Sequence, residues 1–469
     1  MNTSYDIVAY PTTVHPSTHP DRLAVALQLA GLDPVPIERA RVLEIGGGSC
    51  LGLINFAAAY PDSHCYGFDL SATAILNGQR LASGVCPNLT LAVDDIMTAI
   101  KNFEPQSYDY VIAHGVYAWV PAQVQSALLA LIAHVLSQRG VAFVSYNAMP
   151  GGHVRMILRD TLLHAISEVE GVPERVAAAR EALAAYGAEQ AGDDPLMQGL
   201  RYHARMMLER PASVVFHDEM GECFAPQALS DVIAAASQVG LRYLTDAGPN
   251  RMFDGFLPPD AGDIADPDAE VVKLAQMRDY LELCWFRATL LVPSAAPLSR
   301  RLDSSRSAGL WVSAQLEVLD EGEFRSRGEI VKIGDPELAS VLRELAAIWP
   351  GRLRVEQIAT TPAQLDGLMR LHLAQQIILH AAPAPFVTEP GAFPVAGRLL
   401  RAMLQSGEGE LVSLANRNLR VDQQELRAML AAADGTRSVA EIGAMATSIP
   451  SDQIAAALRY AAKQGLLQA

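Results

Sequence analysis

The chain has 469 residues, half of them hydrophobic and 19% charged, a balance that buries sizeable cores in about three domains. Its net charge is −16, and its richest basic stretches, Arg300/Arg301/Arg306 and Arg352/Arg354, are short and diluted, so no nucleic-acid partner is expected while a basic protein partner is. Five scattered cysteines (Cys50, Cys65, Cys86, Cys223, Cys284) lack CxxC spacing, no apolar run is long enough to span a bilayer, and Met1–Pro20 lacks a signal peptide's basic and apolar regions, so the expectation is a cytoplasmic protein without disulfides, structural zinc or membrane span.

In chain order, strand signals fall at Arg41–Gly46, Cys65–Leu70, Leu89–Val93, Tyr108–Ala113 and Gly140–Tyr146. Helix signals follow them at Leu51–Tyr60, Ser71–Ser83, Pro121–Ser137 and His153–Glu168. Strands separated by helix-length segments imply right-handed crossovers and a parallel sheet covered on both faces, an α/β Rossmann-like domain over residues 1–165. Residues 166–300 read as a helical region with Ala, Arg and Glu in excess. Within it Pro226–Val239 predicts a helix and Leu241–Thr245 a strand, so residues 212–260 are candidates to complete the first sheet. Glu270–Leu291 predicts one long helix. Ser294–Ser307 reads as a linker and the proline-rich Pro383–Pro394 as another boundary. These divide the rest into a middle domain, 301–382, and a C-terminal winged-helix-like α+β domain, 383–469, with helix signals at Gln423–Ala433, Val439–Ala446 and Ser451–Gln464.

The sharpest local feature is Val42-Leu43-Glu44-Ile45-Gly46-Gly47-Gly48-Ser49, a glycine turn closing the first strand. Such turns let the backbone approach a ligand closely, and many nucleotide-binding folds share them. The acids around it separate the cofactors. Glu44 would repel a pyrophosphate, whereas S-adenosylmethionine (SAM) has no phosphate and carries a sulfonium and an ammonium against one carboxylate. Asp69 ends the second strand, where a carboxylate can accept both ribose hydroxyls, and Asp94 and Asp95 follow the third strand within reach of an adenine edge. Leu70 and Ile96 flank these acids and are further cofactor candidates. Asp69 and Asp95 also suit a plain capping role for the segments that follow them.

The chain resembles the bacterial methyltransferases with a methyltransferase regulatory domain, which include rickettsial outer-membrane-protein lysine methyltransferases. The resemblance rests on Tyr10-Pro11, Thr18-His19-Pro20-Asp21-Arg22-Leu23-Ala24, Arg41–Gly48, Gly67–Ser71, Tyr108–Pro121 and Val144–Asp160. Phe216–Leu291 resembles the regulatory segment, and Leu411–Thr436 the family's tail. It implies a class I SAM-dependent methyltransferase acting on a protein with an accessible lysine, and a homodimer built on the helical region. Small-molecule N- or O-methylation is the alternative. A degenerate SAM-binding regulator is a further one, prompted by Ser49-Cys50-Leu51-Gly52, where the family carries a richer glycine loop. The family favours Trp where Gly152 stands, which implies a more open wall at that point.

Methyl transfer is an in-line displacement, so the protein's tasks are alignment and dehydration. The candidate acceptor-site residues are His19, His114, Tyr117, Trp119, Tyr146 and Asn147. The cofactor candidates are Tyr10, Glu44, Gly46, Gly48, Asp69, Leu70, Asp94, Asp95, Ile96 and His114. Either histidine can accept a proton or position a donor, and the aromatic faces can hold an ammonium by cation–π attraction. Structural readings stand beside these: His114 as a hydrogen-bonded strand-end residue, Trp119 as packing at a helix start. Arg155 and Arg159-Asp160 are spaced as a helix face and are expected to form ion pairs.

Overall fold

The computed structural model describes residues 4–190, 192, 194–248, 250–445 and 450–468. At its centre is a seven-stranded sheet: β1 Arg41–Ile45, β2 His64–Asp69, β3 Leu89–Val93, β4 Tyr108–Ala113, β5 Leu136–Asn147, β6 Leu241–Asp246 and β7 Phe286–Pro293. Their spatial order is β3-β2-β1-β4-β5-β7-β6. The first five run parallel, and β7 is antiparallel to both β5 and β6. Val42, Leu43 and Ile45 of β1 and Tyr110, Val111 and Ala113 of β4 are fully buried, as expected of central parallel strands covered on both faces. The glycine turn, Asp69, Asp94/Asp95 and His114 therefore share one carboxyl edge.

The expected helix and strand after residue 225 are present as helix Leu229–Gln238 and β6. The single helix expected over Glu270–Leu291 is not. Helix Pro267–Glu282 stops where Leu283 takes a left-handed φ of 51°, and the following residues form β7, inserted between β5 and β6. The run Phe286–Pro293 is apolar on both faces, and periodicity alone cannot tell such a run from a buried helix. Its one charge, Arg287, is wholly buried and held by Asp279 at 2.9 and 3.0 Å and by Asp254 at 3.1 Å.

Between β5 and β6 the chain makes a helical excursion, Gly151–Ala165, Val172–Gly187 and Pro195–Leu208, with a separate core around Leu158, Leu162, Leu183 and Met207. Beyond the sheet lie two three-stranded sheets with helices Pro336–Ile348 and Pro362–Leu373. A last unit has the hairpin Glu410–Val412/Asn418–Arg420 and helices Arg398–Gln405, Gln424–Ala432, Val439–Ala444 and Ser451–Lys463. The expected end of the third of these helices, Ala446, lies outside the described residues. Helix Pro20–Leu29 ties the middle region to the sheet: buried Asp21 accepts the Ala381 N–H at 2.7 Å and contacts His380 Nδ1 at 2.8 Å, while His380 Nε2 meets Ser313 Oγ at 2.8 Å. Among the described residues no helix is long and apolar enough to cross a membrane.

Candidate active site

Gly46 and Gly48 adopt left-handed φ values of 66° and 58°, and the Gly46 N–H donates to Phe68 O across β2 at 2.8 Å. At Gly47 a Cβ would lie 2.7 Å from Glu44 Cδ, so the turn closes over the Glu44 side chain only because no side chain is there. Burial pushes the Glu44 carboxyl up to about 7, and its Oε2 is sealed from solvent with no hydrogen-bond partner among the described residues. Asp69 clasps the turn. Its Oδ2 accepts the Gly48 N–H and its Oδ1 the Ser71 N–H, each at 2.8 Å. Burial raises the Asp69 pKa, opposed by these two N–H groups.

On the next strand end, Asp94 accepts from Asn102 Nδ2 at 2.7 Å and from the Asp95 N–H at 2.8 Å. Asp95 caps the short helix Ile96–Ala99 by accepting the Met97 N–H at 3.0 Å, as the capping reading expected, yet stays exposed on the edge. Leu70, Val93 and Met97 are also exposed beside these acids, while Ile96 packs partly into the core. An uncovered apolar ledge rimmed by carboxylates suits a flat heteroaromatic ring with polar edges.

An N-terminal strap crosses this edge. Asp6 accepts from Ser71 Oγ at 2.7 Å, the Val8 carbonyl lies 2.7 Å from His217 Nε2, and the Tyr10 hydroxyl donates to Asp218 at 3.2 Å. Val14 exchanges two 2.9 Å bonds with the Asn418 side chain. The strap then lays the His15 ring 4.1 Å from that of His114. His114 sits just past β4 with Nδ1 2.8 Å from Ser145 Oγ, which also accepts the Gly115 N–H at 2.9 Å. Desolvation, reinforced by His15, drops the His114 pKa to about 3, so its imidazole is neutral at physiological pH.

The structure separates the two histidines singled out in the sequence. His19 caps helix Pro20–Leu29 by accepting the Asp21 N–H at 3.2 Å and packs edge-on to Phe56, with its pKa lowered to about 4 by burial. His15 stands over His114 instead. Sequence reading passed over His15, whose one signal is a second His-Pro step four residues earlier.

The remaining candidates lie inward. Tyr117 is buried with its ring 6.0 Å from Tyr146, whose hydroxyl is 2.9 Å from Thr289 Oγ1 and which is 1% exposed. Asn147 is buried and accepts the Gln227 N–H through its carbonyl at 2.9 Å. Trp119 stacks on Phe224 at 5.1 Å, with the Arg155 and Arg159 guanidiniums 5.2 and 5.9 Å from its ring. Its cation–π partners are thus the chain's own arginines. Arg155 forms the expected ion pair, to Glu219 at 2.6 Å, while Arg159 donates to the backbone carbonyls of Asp218 and Gly221. The open wall expected at Gly152 is absent: Gly152 is buried, and a Cβ there would lie 2.5 Å from the Pro226 side chain, which fills the space.

A family model described as a methyltransferase domain matches residues 42–140, and one described as a predicted methyltransferase regulatory domain matches residues 211–293. The uncharacterized protein RP028 of Rickettsia prowazekii is 31% identical over 221 residues, covering 47% of this chain and 88% of that protein. RP789 of the same organism is 27% identical over 306 residues, 64% of this chain and 54% of that protein. Among solved structures, PKMT2 from Rickettsia typhi has a TM-score of 0.82 at 21% identity, covering 98% of this chain and 99% of that one. The same protein in complex with AdoHcy has a TM-score of 0.82 at 20% identity. At this identity the likeness establishes a shared fold along the whole chain.

Proposed function

The chain belongs to the methyltransferases that carry a methyltransferase regulatory domain, SAM-dependent enzymes, and from that premise we propose that it methylates lysine side chains of a protein substrate. The observation that carries the lysine reading is the extent of the fold likeness. The excursion, the middle region and the C-terminal unit all share the architecture of PKMT2, whose name marks it as a protein lysine methyltransferase. Segment 215–219, which follows the excursion, and Asn418 of the C-terminal unit also shape the site by holding the strap over His114.

When bound, SAM supplies a methyl group activated by a sulfonium. The residues on the edge suit it. Asp69 keeps lone pairs for ribose hydroxyls while clasping Gly48; Gly46 and Gly48 let the backbone approach the methionine end; Leu70, Asp94, Asp95 and Ile96 frame the ring ledge. Glu44, whose Oε2 has no partner among the described residues beneath the turn, favours a ligand bearing two cationic groups and disfavours a pyrophosphate. Tyr10, on the strap, covers the site from the side of Asp218. His114, neutral and fixed through Nδ1, faces the acceptor and can take a hydrogen bond from its amine. Tyr117, Trp119, Tyr146 and Asn147 act as the packed wall that keeps water out behind it. His19 acts by anchoring the start of helix Pro20–Leu29, which fixes the end of the strap.

The partner we propose for assembly is a second copy of the chain. Leu274, Met277, Tyr280 and Leu281 are 39, 53, 56 and 80% exposed on helix Pro267–Glu282, and Leu283 and Phe286 just beyond it are exposed as well, a concentration of uncovered apolar side chains that suits an interface. We place the enzyme in the cytoplasm. Incubation with methyl-labelled SAM and whole-cell lysate tests the substrate class. Label recovered in protein bands is expected; label confined to small extractable products would defeat the lysine reading in favour of a metabolite.

A further inference from the structure

We propose that His15 is a catalytic residue of this site, taking the proton that a lysine ammonium must lose before its nitrogen can attack the methyl group. The inference rests on the lysine reading above. Its basis is how the two imidazoles divide the requirements of a base. His114 is the better placed, just past β4, but it is half-buried and its Nδ1 is engaged by Ser145, so that nitrogen cannot hand a proton on to bulk water. His15 lies 4.1 Å from it, centroid to centroid, and is exposed on its other side. Its Nε2 has only a 3.4 Å contact to Thr13 Oγ1, at the weak limit of a hydrogen bond, so the ring retains capacity to pass a proton to solvent.

The placement is built rather than incidental. The His15 carbonyl accepts the Thr18 N–H at 3.1 Å and Thr18 Oγ at 2.9 Å, and Asn416 Nδ2 lies 3.4 Å away. Its neighbour Val14 is pinned through both backbone groups by Asn418. The contacts that fix Val14 and His15 themselves, from Thr18, Asn416 and Asn418, come from groups that do not titrate. Of the groups in contact with the ring, His114 from the end of β4 and Thr13 from the strap, only His114 titrates, and it is neutral in the working range. Partial burial also keeps His15 below its ordinary value, hence neutral and able to accept.

The step balances without a co-reactant. The ammonium N–H bond breaks with its electron pair left on nitrogen, and the proton goes to His15 and then to water. The nitrogen pair forms the new N–C bond as the C–S pair returns to sulfur. Desolvation of the ammonium against two neutral rings lowers its hold on the proton, which brings it within range of a base of this strength.

The test measures methylation of a lysine-bearing protein acceptor across pH 6–9 for wild type, His15→Ala and His15→Phe, with SAM affinity measured separately by calorimetry. The Phe variant keeps an aromatic ring over His114 but has no base. Both variants are expected to keep SAM affinity within about twofold and to lose about 100-fold in kcat/KM near neutrality. Their rates are expected to go on rising with pH where wild type has levelled off. Wild-type rate and pH profile in the Phe variant would overturn the proposal, as would a loss in both variants explained entirely by weakened SAM binding. A wild-type enzyme that labels no protein lysine would instead overturn the lysine reading, and this proposal with it.

Discussion

The Gly48 amide donates to Asp69 Oδ2 at 2.8 Å, which ties the glycine turn after β1 to the end of β2 through one carboxylate. That carboxylate shapes the turn and, in the proposed function, receives the ribose. Asp69→Ala removes both contributions. Charge-assisted hydrogen bonds contribute about 2 kcal/mol, so SAM affinity should fall ~30-fold or more in a calorimetric titration. The far-ultraviolet circular dichroism should stay that of wild type, because Asp69 lies outside the core. Unchanged affinity would remove Asp69 from the site.

Glu44 gives a pH prediction with a definite sign. Its folded pKa, about 7, lies above its ordinary 4.5 because burial disfavours the carboxylate. Below pH 4.5 it is protonated in both folded and unfolded states and contributes nothing. As pH rises from 4.5 to 7 the unfolded chain releases the proton first, so stability is lost across that window and stays lower above it. Glu44→Gln should therefore match wild type at pH 4 and exceed it at pH 8, by up to about 3 kcal/mol in urea unfolding without cofactor. A constant difference at all pH values would contradict a buried, raised carboxyl.

Arg155 and Glu219 form a buried pair between the excursion and segment 215–219, with the Glu219 side chain fully sealed. Arg155→Leu would strand that carboxylate, leaving Arg210 at 3.3 Å as its nearest remaining cation. A loss of about 3 kcal/mol is expected. The double variant Arg155→Leu/Glu219→Gln should recover part of it, since no charge is then left unpaired. Chemical denaturation of wild type and the two variants reads this directly.

Much of the sheet could be read in the sequence because β1–β4 are short, largely apolar runs, the first three closed by glycine or acid, that alternate with helix-length segments. β7 was not legible. Phe286–Pro293 is buried on both faces, and its partner β5 is over a hundred residues away, so nothing local sets it apart from a continued helix. The gathering of Glu44, Asp69 and Asp94/Asp95 at one carboxyl edge was similarly legible, because each acid lies next to the end of a parallel strand. The packing around the aromatic candidates was not. Tyr146 and Trp119 look like ring faces in sequence, but strand alternation turns Tyr146 onto Thr289, and Arg155 comes from a later helix to cover Trp119. His15 and His19 differ by one helix boundary: Pro20 starts a helix that takes His19 as its cap, leaving His15 on the strap.

The apolar patch on helix Pro267–Glu282 gives a prediction about assembly. Light scattering at micromolar concentration should give the mass of a dimer for wild type. Leu281→Arg combined with Met277→Glu should give a monomer with SAM affinity within about twofold, because both side chains are largely exposed and neither belongs to the glycine turn or the acids beside it. A wild-type monomer would show that the patch serves another partner.

The central claim is that a phosphate-free, sulfonium-bearing nucleoside lies across the carboxyl ends of β1–β4. A crystal structure with S-adenosylhomocysteine bound tests it most directly. The account predicts ribose hydroxyls on Asp69, the adenine on the ledge by Leu70 and Asp95, and the sulfur open toward His114 and His15. A nucleoside bound elsewhere, or an edge that admits only a phosphate-bearing ligand, would contradict it.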